Sequence, residues 1–172
     1  MYFTNNGRKN QRLEIRFISV PMMCWFVNNK AETEKNKTGA LYNAYVIDPK
    51  TNGNKNVCPV GFHVPNTAEL EILITKLGGY NEAGGKLKQT DTTFWLAPNK
   101  NASNETGFSA LPGGHRNYGG FYQYRKGNGL WWVVNEEYEN FYQYFILFNE
   151  YSIIHSNHCY KSMGMSVRCL KD

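Results

Sequence analysis

The chain has 172 residues, of which 41% are hydrophobic, so it holds enough apolar material for one domain with a core. Charged residues make up only 19%, a low share for an intracellular enzyme, whereas aromatic residues reach 15%. The net charge is +5, but only residues 8–16 cluster basic side chains, so we expect no nucleic-acid partner.

No stretch is apolar and long enough to span a membrane, and we expect no membrane contact by this domain itself. Residues 7–16 are too polar to form the apolar core of a signal peptide. If the protein is exported, we expect its signal to be missing from the chain or to lie upstream of it.

The N-terminal third predicts little regular structure. Residues 12–20 alternate charged and apolar side chains up to Pro21, which is typical of an amphipathic strand at a sheet edge. Residues 28–39 are polar and lysine-rich, as in a loop. Residues 41–47 predict a short helix or strand, and residues 49–56 are rich in turn-forming residues.

One helix is well signalled and should begin near Thr67. Pro65 precedes it, and Glu69 follows Asn66 by three positions, as in a capping box. Gly78 and Gly79 should end it, since glycine adopts the left-handed cap conformation without strain. The helix then presents one apolar face, formed by Leu70, Leu73, Ile74 and Leu77.

Beyond about residue 90, glycine-rich turns separate short apolar segments, which predicts short strands. The last of these should be a closing strand over residues 164–170. Its alternating residues Met163, Met165, Val167 and Cys169 should face the core.

The four cysteines are Cys24, Cys58, Cys159 and Cys169, and no two have the close spacing of a zinc knuckle. We therefore expect no metal site and no cofactor. An even cysteine count is compatible with an oxidising compartment.

Several segments together resemble a known family. In order, they are residues 58–65 (CPVGFHVP), 83–88 (AGGKLK), 104–116 (NETGFSALPGGHR), 131–132 (WW) and 166–169 (SVRC). They resemble the Fibrobacter succinogenes major paralogous domain, which occurs in surface proteins and lipoproteins of gut bacteria, and the resemblance covers roughly residues 39–172. It implies a bacterial or phage origin and a place outside the cell or at its surface.

The resemblance also implies an α+β fold of the C-type-lectin-like kind, shared with formylglycine-generating enzymes, with short helices, small twisted antiparallel sheets and long loops. We expect this domain over residues 24–172, preceded by an N-terminal extension or edge strand over 1–23. In such folds the first and last strands pair, so Cys58 and Cys169 are candidates for a disulfide that excludes Cys24 and Cys159. The alternative is that Cys58 and Cys169 are two small buried hydrophobic residues.

Two alternatives carry different chemistry. Formylglycine-generating enzymes use reactive cysteines near the end of this fold, a role open to Cys159 and Cys169. Calcium-dependent lectins would use the loop at residues 96–99 or the carboxylates at 136–137, but the loop has no carboxylate. We expect His63 to be structural, held by hydrogen bonds, and the domain to be non-catalytic.

Residues 117–160 are unusually aromatic, and this segment carries our binding hypothesis. A strand buried on both faces explains residues 141–148, which are almost continuously apolar. The remaining aromatic side chains exceed what a small core absorbs, and exposed aromatic clusters mark binding sites for protein or glycan ligands. Trp131 or Trp132 should lie buried beneath. The residues expected on this exposed face are Tyr118, Tyr124, Val133, Asn135, Tyr144, Tyr151, Ile153, His155 and Asn157.

The family also resembles the variable proteins of diversity-generating retroelements, in which a fixed core carries exposed positions that are mutated. Residues 153–159 (IIHSNHC) have the composition of such positions. Ordinary divergence between paralogues gives the same pattern, so both explanations stay open at this point.

Overall fold

The chain has a mixed α+β fold, in which short helices alternate with small antiparallel sheets, as predicted. The structure is a computed structural model and describes residues 20–135 and 141–172. The predicted strand at 12–20 therefore lies, apart from its last residue, outside the described residues, as do the carboxylates at 136–137. Within the described ranges, no helix combines the length and apolar character needed to cross a membrane.

Helices and strands are short. The helices are α1 (Lys30–Lys35), α2 (Pro49–Asn52), α3 (Thr67–Lys76) and α4 (Ala83–Leu87), with 3₁₀ turns at Phe26–Asn28 and Ala44–Val46. The strands are β1 (Met23–Cys24), β2 (Leu41–Tyr42), β3 (Phe62–His63), β4 (His115–Arg116), β5 (Tyr122–Gln123), β6 (Asn128–Trp132), β7 (Phe141–Phe148), β8 (Ile154–Tyr160) and β9 (Leu170–Lys171). Strand β1 crosses the expected domain boundary at residue 23, because it contains both Met23 and Cys24. Since β1 pairs with β2, the residues on both sides of that boundary belong to one sheet.

Helix α3 begins at Thr67, which confirms the prediction. The Asn66 side chain accepts a hydrogen bond from the Glu69 amide at 3.0 Å, and the Glu69 carboxylate accepts one from the Asn66 amide at 2.9 Å. This reciprocal capping box satisfies two backbone donors at the helix start. Leu70 and Ile74 are buried, whereas Leu73 and Leu77 are partly buried against the same cluster.

The main sheet joins β6, β7 and β8 in that order, with antiparallel pairing, and each of its faces has its own core. Successive side chains of a strand point to opposite faces, so Phe145 of β7 faces α3 while Tyr142 faces away. On the α3 side, Trp131 stacks on Phe145 with ring centroids 5.0 Å apart. On the other side, the Trp132 indole donates a hydrogen bond of 2.7 Å to the Tyr42 carbonyl. Both tryptophans are buried, as expected for at least one of them.

The two clusters are separate in composition. The α3 side contains Leu70, Ile74, Ala83, Leu87, Trp95, Ala110, Trp131, Val133, Phe145, Leu147 and Ile154. The other side contains Ala44, Ile47, Cys58, Val64, Leu130, Trp132, Tyr142 and Met165.

The last strand, β9, pairs antiparallel with β3. The expected pairing of the first and last strands is therefore wrong for the chain as a whole, because the first strand, β1, pairs with β2. Next to β3 and β9, Cys58 and Cys169 form a disulfide with their Cα atoms 5.8 Å apart, so the predicted pair is confirmed. Cys24 and Cys159 are free thiols, also as predicted.

The predicted closing strand over 164–170 is wrong in extent, since β9 covers only Leu170–Lys171. Gly164, Met165 and Ser166 instead form isolated bridges to three different partners, Arg116, Tyr42 and Trp131. The segment contacts several strands in turn instead of pairing along one of them. The alternation of apolar side chains in the sequence does not distinguish these two arrangements. Met165 is buried, whereas Met163 and Val167 are only partly buried.

Candidate ligand-binding surface around strand β8

Strand β8 forms one edge of the main sheet, and its side chains alternate between exposed and covered positions over residues 154–157. On the face away from α3, Asn157 lies opposite Tyr144 and His155 lies opposite Ile146. His155 and Asn157 are exposed, whereas Tyr144 is half-buried. Burial raises the pKa of Tyr144, so its hydroxyl stays protonated at neutral pH and can both donate and accept hydrogen bonds.

Aromatic contacts extend this face toward the turn between β7 and β8. The Phe148 ring meets Tyr151 edge-on at 5.9 Å and His155 edge-on at 5.6 Å. Tyr151 is 52% exposed. We call the set Tyr144, Ile146, Phe148, Tyr151, His155 and Asn157 the aromatic face.

A polar network lies on the opposite face of the same strands, with Gln143 at its centre. The Gln143 side chain accepts hydrogen bonds from Thr67, at the start of α3, and from Asn135 at 3.2 Å. Its amide nitrogen donates to the Ser156 hydroxyl at 2.7 Å. Asn135 also lies 3.3 Å from the exposed imidazole of His158. Both polar atoms of the buried Gln143 side chain therefore have hydrogen-bond partners, which fixes these side chains relative to one another.

A shallow depression of about 320 Å³ opens beside the start of β8. It lies between the loop that follows α3 and the strand, and its lining residues are Tyr80, Asn81, Ile153, Ile154, His155 and Ser156. Two hydrogen bonds tie the loop to the strand region: the Ile154 amide donates to the Tyr80 carbonyl at 2.9 Å, and the Ser152 hydroxyl donates to the Asn81 carbonyl at 3.1 Å.

Most of the residues predicted for a binding face come together around β8. Tyr118 is 65% exposed and approaches the far end of the strand, where its ring meets that of Tyr160 at 5.8 Å. Asn135 and Ile153 are only partly exposed. Asn135 contacts Gln143 on the face opposite Tyr144, so its predicted place on one face with Tyr144 is wrong. The predicted residues that directly surround the strand are Asn135, Tyr144, Tyr151, Ile153, His155 and Asn157.

Two of the predicted residues lie elsewhere. Val133 is fully buried in the α3-side core, so its predicted exposure is wrong. It follows Trp131 by two positions and therefore shares the face that α3 covers. Tyr124 is 61% exposed but stacks on His115 at 5.7 Å, and its carbonyl binds the amides of residues 127 and 128 on the β6 side of the sheet.

Three residues of this surface were not predicted from the sequence: Tyr80, Asn81 and Gln143. Ser156 and His158 were named only as part of the segment at 153–159. Gln143 carried a usable signal, because it is the one amide inside the otherwise apolar run of β7. A polar side chain there needs partners on the neighbouring strands. Tyr80 and Asn81 carried none, since only the tertiary fold brings the end of α3 to β8.

A comparison with protein-family models places this architecture. The model described as the Fibrobacter succinogenes major domain matches residues 2–171. The chain belongs to this family. The matched span is longer than residues 39–172, on which the sequence resemblance rests, and it includes most of the expected N-terminal extension. Searches of curated proteins and of solved structures found no match.

One segment of the family resemblance, residues 83–88, holds the β7–β8 turn in place. Gly84 lies against this turn so closely that a Cβ atom there would stand 2.3 Å from the Ile153 carbonyl oxygen. The amide of Gly85 donates to the Ser152 carbonyl at 3.0 Å. Glycine at position 84 thus allows a backbone contact that any side chain would block.

Lys88, from the same segment, secures the turn from below. Its ammonium group donates hydrogen bonds to the carbonyls of Lys100 at 2.8 Å and of Phe148 and Tyr151 at 2.9 Å. Burial lowers the pKa of Lys88 to about 8, so the ammonium form still dominates at neutral pH. All three donors of the group are used, which compensates its removal from water.

His63 is held by hydrogen bonds, in keeping with the structural role expected from the sequence. Its Nδ1 lies 2.5 Å from the Asp172 carboxylate and its Nε2 lies 2.8 Å from the Glu69 carboxylate. These two carboxylates raise the pKa of His63. The pKa of Glu69 is lowered by the hydrogen bond that its carboxylate accepts from the Asn66 amide and by the His63 imidazole. The group joins the end of the chain to α3 and so reinforces the contact between β3 and β9.

The structure bears on the residues named for the two alternatives, a formylglycine-generating enzyme and a calcium-dependent lectin. Burial raises the pKa of the Cys159 thiol to about 12, and Cys169 is oxidised, so neither offers a thiolate. In the loop at 96–99, the amide nitrogen of Asn99 donates to the carbonyls of Gln89 and Thr90, whereas its buried Oδ1 accepts no hydrogen bond from the described residues. Residues 20–135 and 141–172 contain no group of three or more His, Cys, Asp and Glu side chains that could hold a metal ion.

Proposed function

We propose that this domain is a non-catalytic binding module that recognises a protein or glycan ligand through the surface around β8. The observation that carries the proposal is the convergence of exposed aromatic and polar side chains on this one edge strand. Tyrosine, histidine and asparagine supply rigid contact area and hydrogen bonds without a net charge. The fixed turn beneath them means that little conformational entropy is lost on binding.

For the fold, the proposal is a C-type-lectin-like domain related to formylglycine-generating enzymes. The pairing of β3, where the segment at 58–65 that resembles the family lies, with the last strand β9 supports it, as does α3 directly after β3. For the location, we propose the outside of the cell. The disulfide supports this, because such bonds persist chiefly in oxidising compartments.

The surface also supports diversification of the gene by a retroelement. On β8, His155 and Asn157 point outward and are polar, whereas Ile154 points to the α3-side core and is fully buried. Substitution of the outward residues would change specificity with little effect on folding. A genomic test is direct: a nearby near-copy of the final coding segment that differs only opposite adenines supports the proposal, and its absence refutes active diversification.

The binding proposal is tested with the purified, oxidised chain on arrays of glycans and extracellular proteins, followed by titration of the ligand found. We expect Tyr144→Ala and Tyr151→Ala each to weaken binding by about 1–2 kcal/mol, roughly 5–30-fold, because each removes an aromatic contact. The melting temperature should stay almost unchanged for Tyr151→Ala, since Tyr151 is 52% exposed. Tyr144→Ala should lower it, because the Tyr144 ring packs edge-on against buried Trp132 at 6.4 Å.

Tyr124→Ala is the matched control for Tyr151→Ala, because Tyr124 is 61% exposed, compared with 52% for Tyr151, but lies on the β6 side of the sheet. Its affinity should equal that of the unmodified chain. Equal losses for Tyr124→Ala and Tyr151→Ala would show that the ligand does not select the surface around β8.

A further inference from the structure

The depression beside β8 has the size of a small ligand site. Its volume of about 320 Å³ lies near the lower end of the roughly 300–1,000 Å³ typical of such sites. It is open to solvent, so it can accept one unit of a longer chain whose remainder lies outside. The two hydrogen bonds between the 80–81 loop and the residues at 152–154 fix its walls before any ligand arrives.

Its aromatic wall is held in one orientation. The Tyr80 ring is 39% exposed, and its hydroxyl donates a hydrogen bond to the Glu71 carboxylate. Because Glu71 holds the far end of the side chain, the ring cannot rotate away without losing this bond. Partly buried Ile153 adds apolar surface nearby.

Its polar wall has hydrogen-bonding groups to spare. Among the described residues, neither the exposed side-chain amide of Asn81 nor the exposed imidazole of His155 has a hydrogen-bond partner. An amide offers donors and an acceptor together, and a neutral imidazole offers one of each. None of the lining side chains carries a fixed charge.

We infer that this depression binds a neutral sugar residue of a glycan, with its apolar C–H face on Tyr80 and its hydroxyl groups on Asn81 and His155. The inference rests on the proposed function and names the ligand class. A ring with one apolar face and a rim of hydroxyls matches an aromatic wall beside an uncharged polar one. A peptide strand fits less well, because the outward-pointing amide of Ile154 is already bound to the Tyr80 carbonyl.

The test uses an array of neutral and acidic oligosaccharides and titration of the neutral compounds that bind. We expect Tyr80→Ala to weaken their binding about tenfold or more, and Asn81→Ala by about three- to tenfold. Tyr80→Phe keeps the ring and loses only the hydrogen bond to Glu71, so its affinity should stay within about threefold of that of the unmodified chain. This result would show that the ring, rather than the hydroxyl group, makes the contact with the sugar. Tyr124→Ala again serves as the control and should leave binding unchanged. Melting curves confirm that each variant is folded.

The inference is overturned if no neutral oligosaccharide binds, if only acidic ones bind, or if Tyr80→Ala and Asn81→Ala leave their binding unchanged. A protein ligand that depends on Tyr151 but not on Tyr80 overturns it as well while leaving the proposed function intact. By contrast, a neutral glycan that depends on Tyr80 but not on Tyr144 or Tyr151 supports the depression and contradicts the wider aromatic face.

Discussion

The support beneath the β7–β8 turn and the surface above it differ in how their polar groups are satisfied. Below, the three donors of Lys88 each have a carbonyl acceptor, and Gly84 allows backbone contact. Above, the Asn81 side-chain amide and the His155 imidazole face solvent, and neither has a hydrogen-bond partner among the described residues. The two regions therefore have different roles. The buried residues Gly84 and Lys88 determine where the turn lies, and the exposed side chains of Asn81 and His155 can form hydrogen bonds with a ligand.

The strongest way to break this division is Lys88→Met, which keeps the aliphatic stem but removes the ammonium group. Three carbonyls would lose their donor in a buried site, so we expect unfolding to become easier by about 3 kcal/mol. Denaturant titration measures this. Lys86→Met is the control, because Lys86 makes only partly exposed ion pairs of 3.6–3.7 Å, and its effect should stay below about 0.5 kcal/mol. Similar effects of the two substitutions would contradict the role of Lys88.

A somewhat smaller effect is expected for Gly84→Ala. The new methyl group would stand 2.3 Å from the Ile153 carbonyl oxygen, so the turn must shift, at a cost of about 2 kcal/mol. Gly127→Ala is a suitable control, since its nearest contact would be an ordinary 3.6 Å.

The Gly84 substitution also sharpens the comparison, because Ile153 lines the depression. Ligand binding by the folded Gly84→Ala variant should be weaker even though no ligand-contacting side chain has changed. Unchanged affinity after a confirmed loss of stability would show that the position of the turn does not matter for binding.

The smallest effect on stability is expected at the contact between β3 and β9, where His63 lies. Its raised pKa means that its ion pairs stabilise the fold fully below the unfolded-state pKa, and that this contribution is lost as pH rises through the folded-state pKa. The lowered pKa of Glu69 sets the acidic limit: its contribution to stability is lost as the pH falls through the folded-state pKa of Glu69. The partly exposed pairs should contribute less than about 1 kcal/mol.

Melting temperatures of the unmodified chain and of His63→Gln, measured across pH, check this window. The difference between the two should be largest between the two pKa values and should shrink on either side. A difference that does not vary with pH would mean that His63 acts through packing alone.

Local signals in the sequence predicted the parts of the fold that depend on neighbouring residues. Helix α3 follows from the capping box at Asn66 and Glu69, and the glycines after it. The disulfide between Cys58 and Cys169 came from the family resemblance, since 111 residues separate the two. The segment at 164–170 misled, because its alternation reflects contacts with three different partners instead of one long strand.

The site was predictable only where strand alternation is informative. Tyr144, His155 and Asn157 were correctly placed on one face because they alternate along paired strands. Val133 was misplaced, since the sequence does not show that α3 covers the face that it shares with Trp131. Tyr80 and Asn81 lie some 70 residues from β8 in the chain, as the separation of 71 between Asn81 and Ser152 illustrates, so no local pattern connects them.

The acceptors of the Lys88 ammonium have a consequence for how the chain folds. The Lys100 carbonyl lies 12 residues from Lys88, but the other two acceptors lie 60 and 63 residues further along the chain. Two of the three hydrogen bonds of the ammonium group therefore form only when the β7–β8 turn docks. Closing loops of this length has an entropic cost that must be met before the contacts form, which slows folding. We therefore expect the turn that presents Tyr151 to dock late in folding.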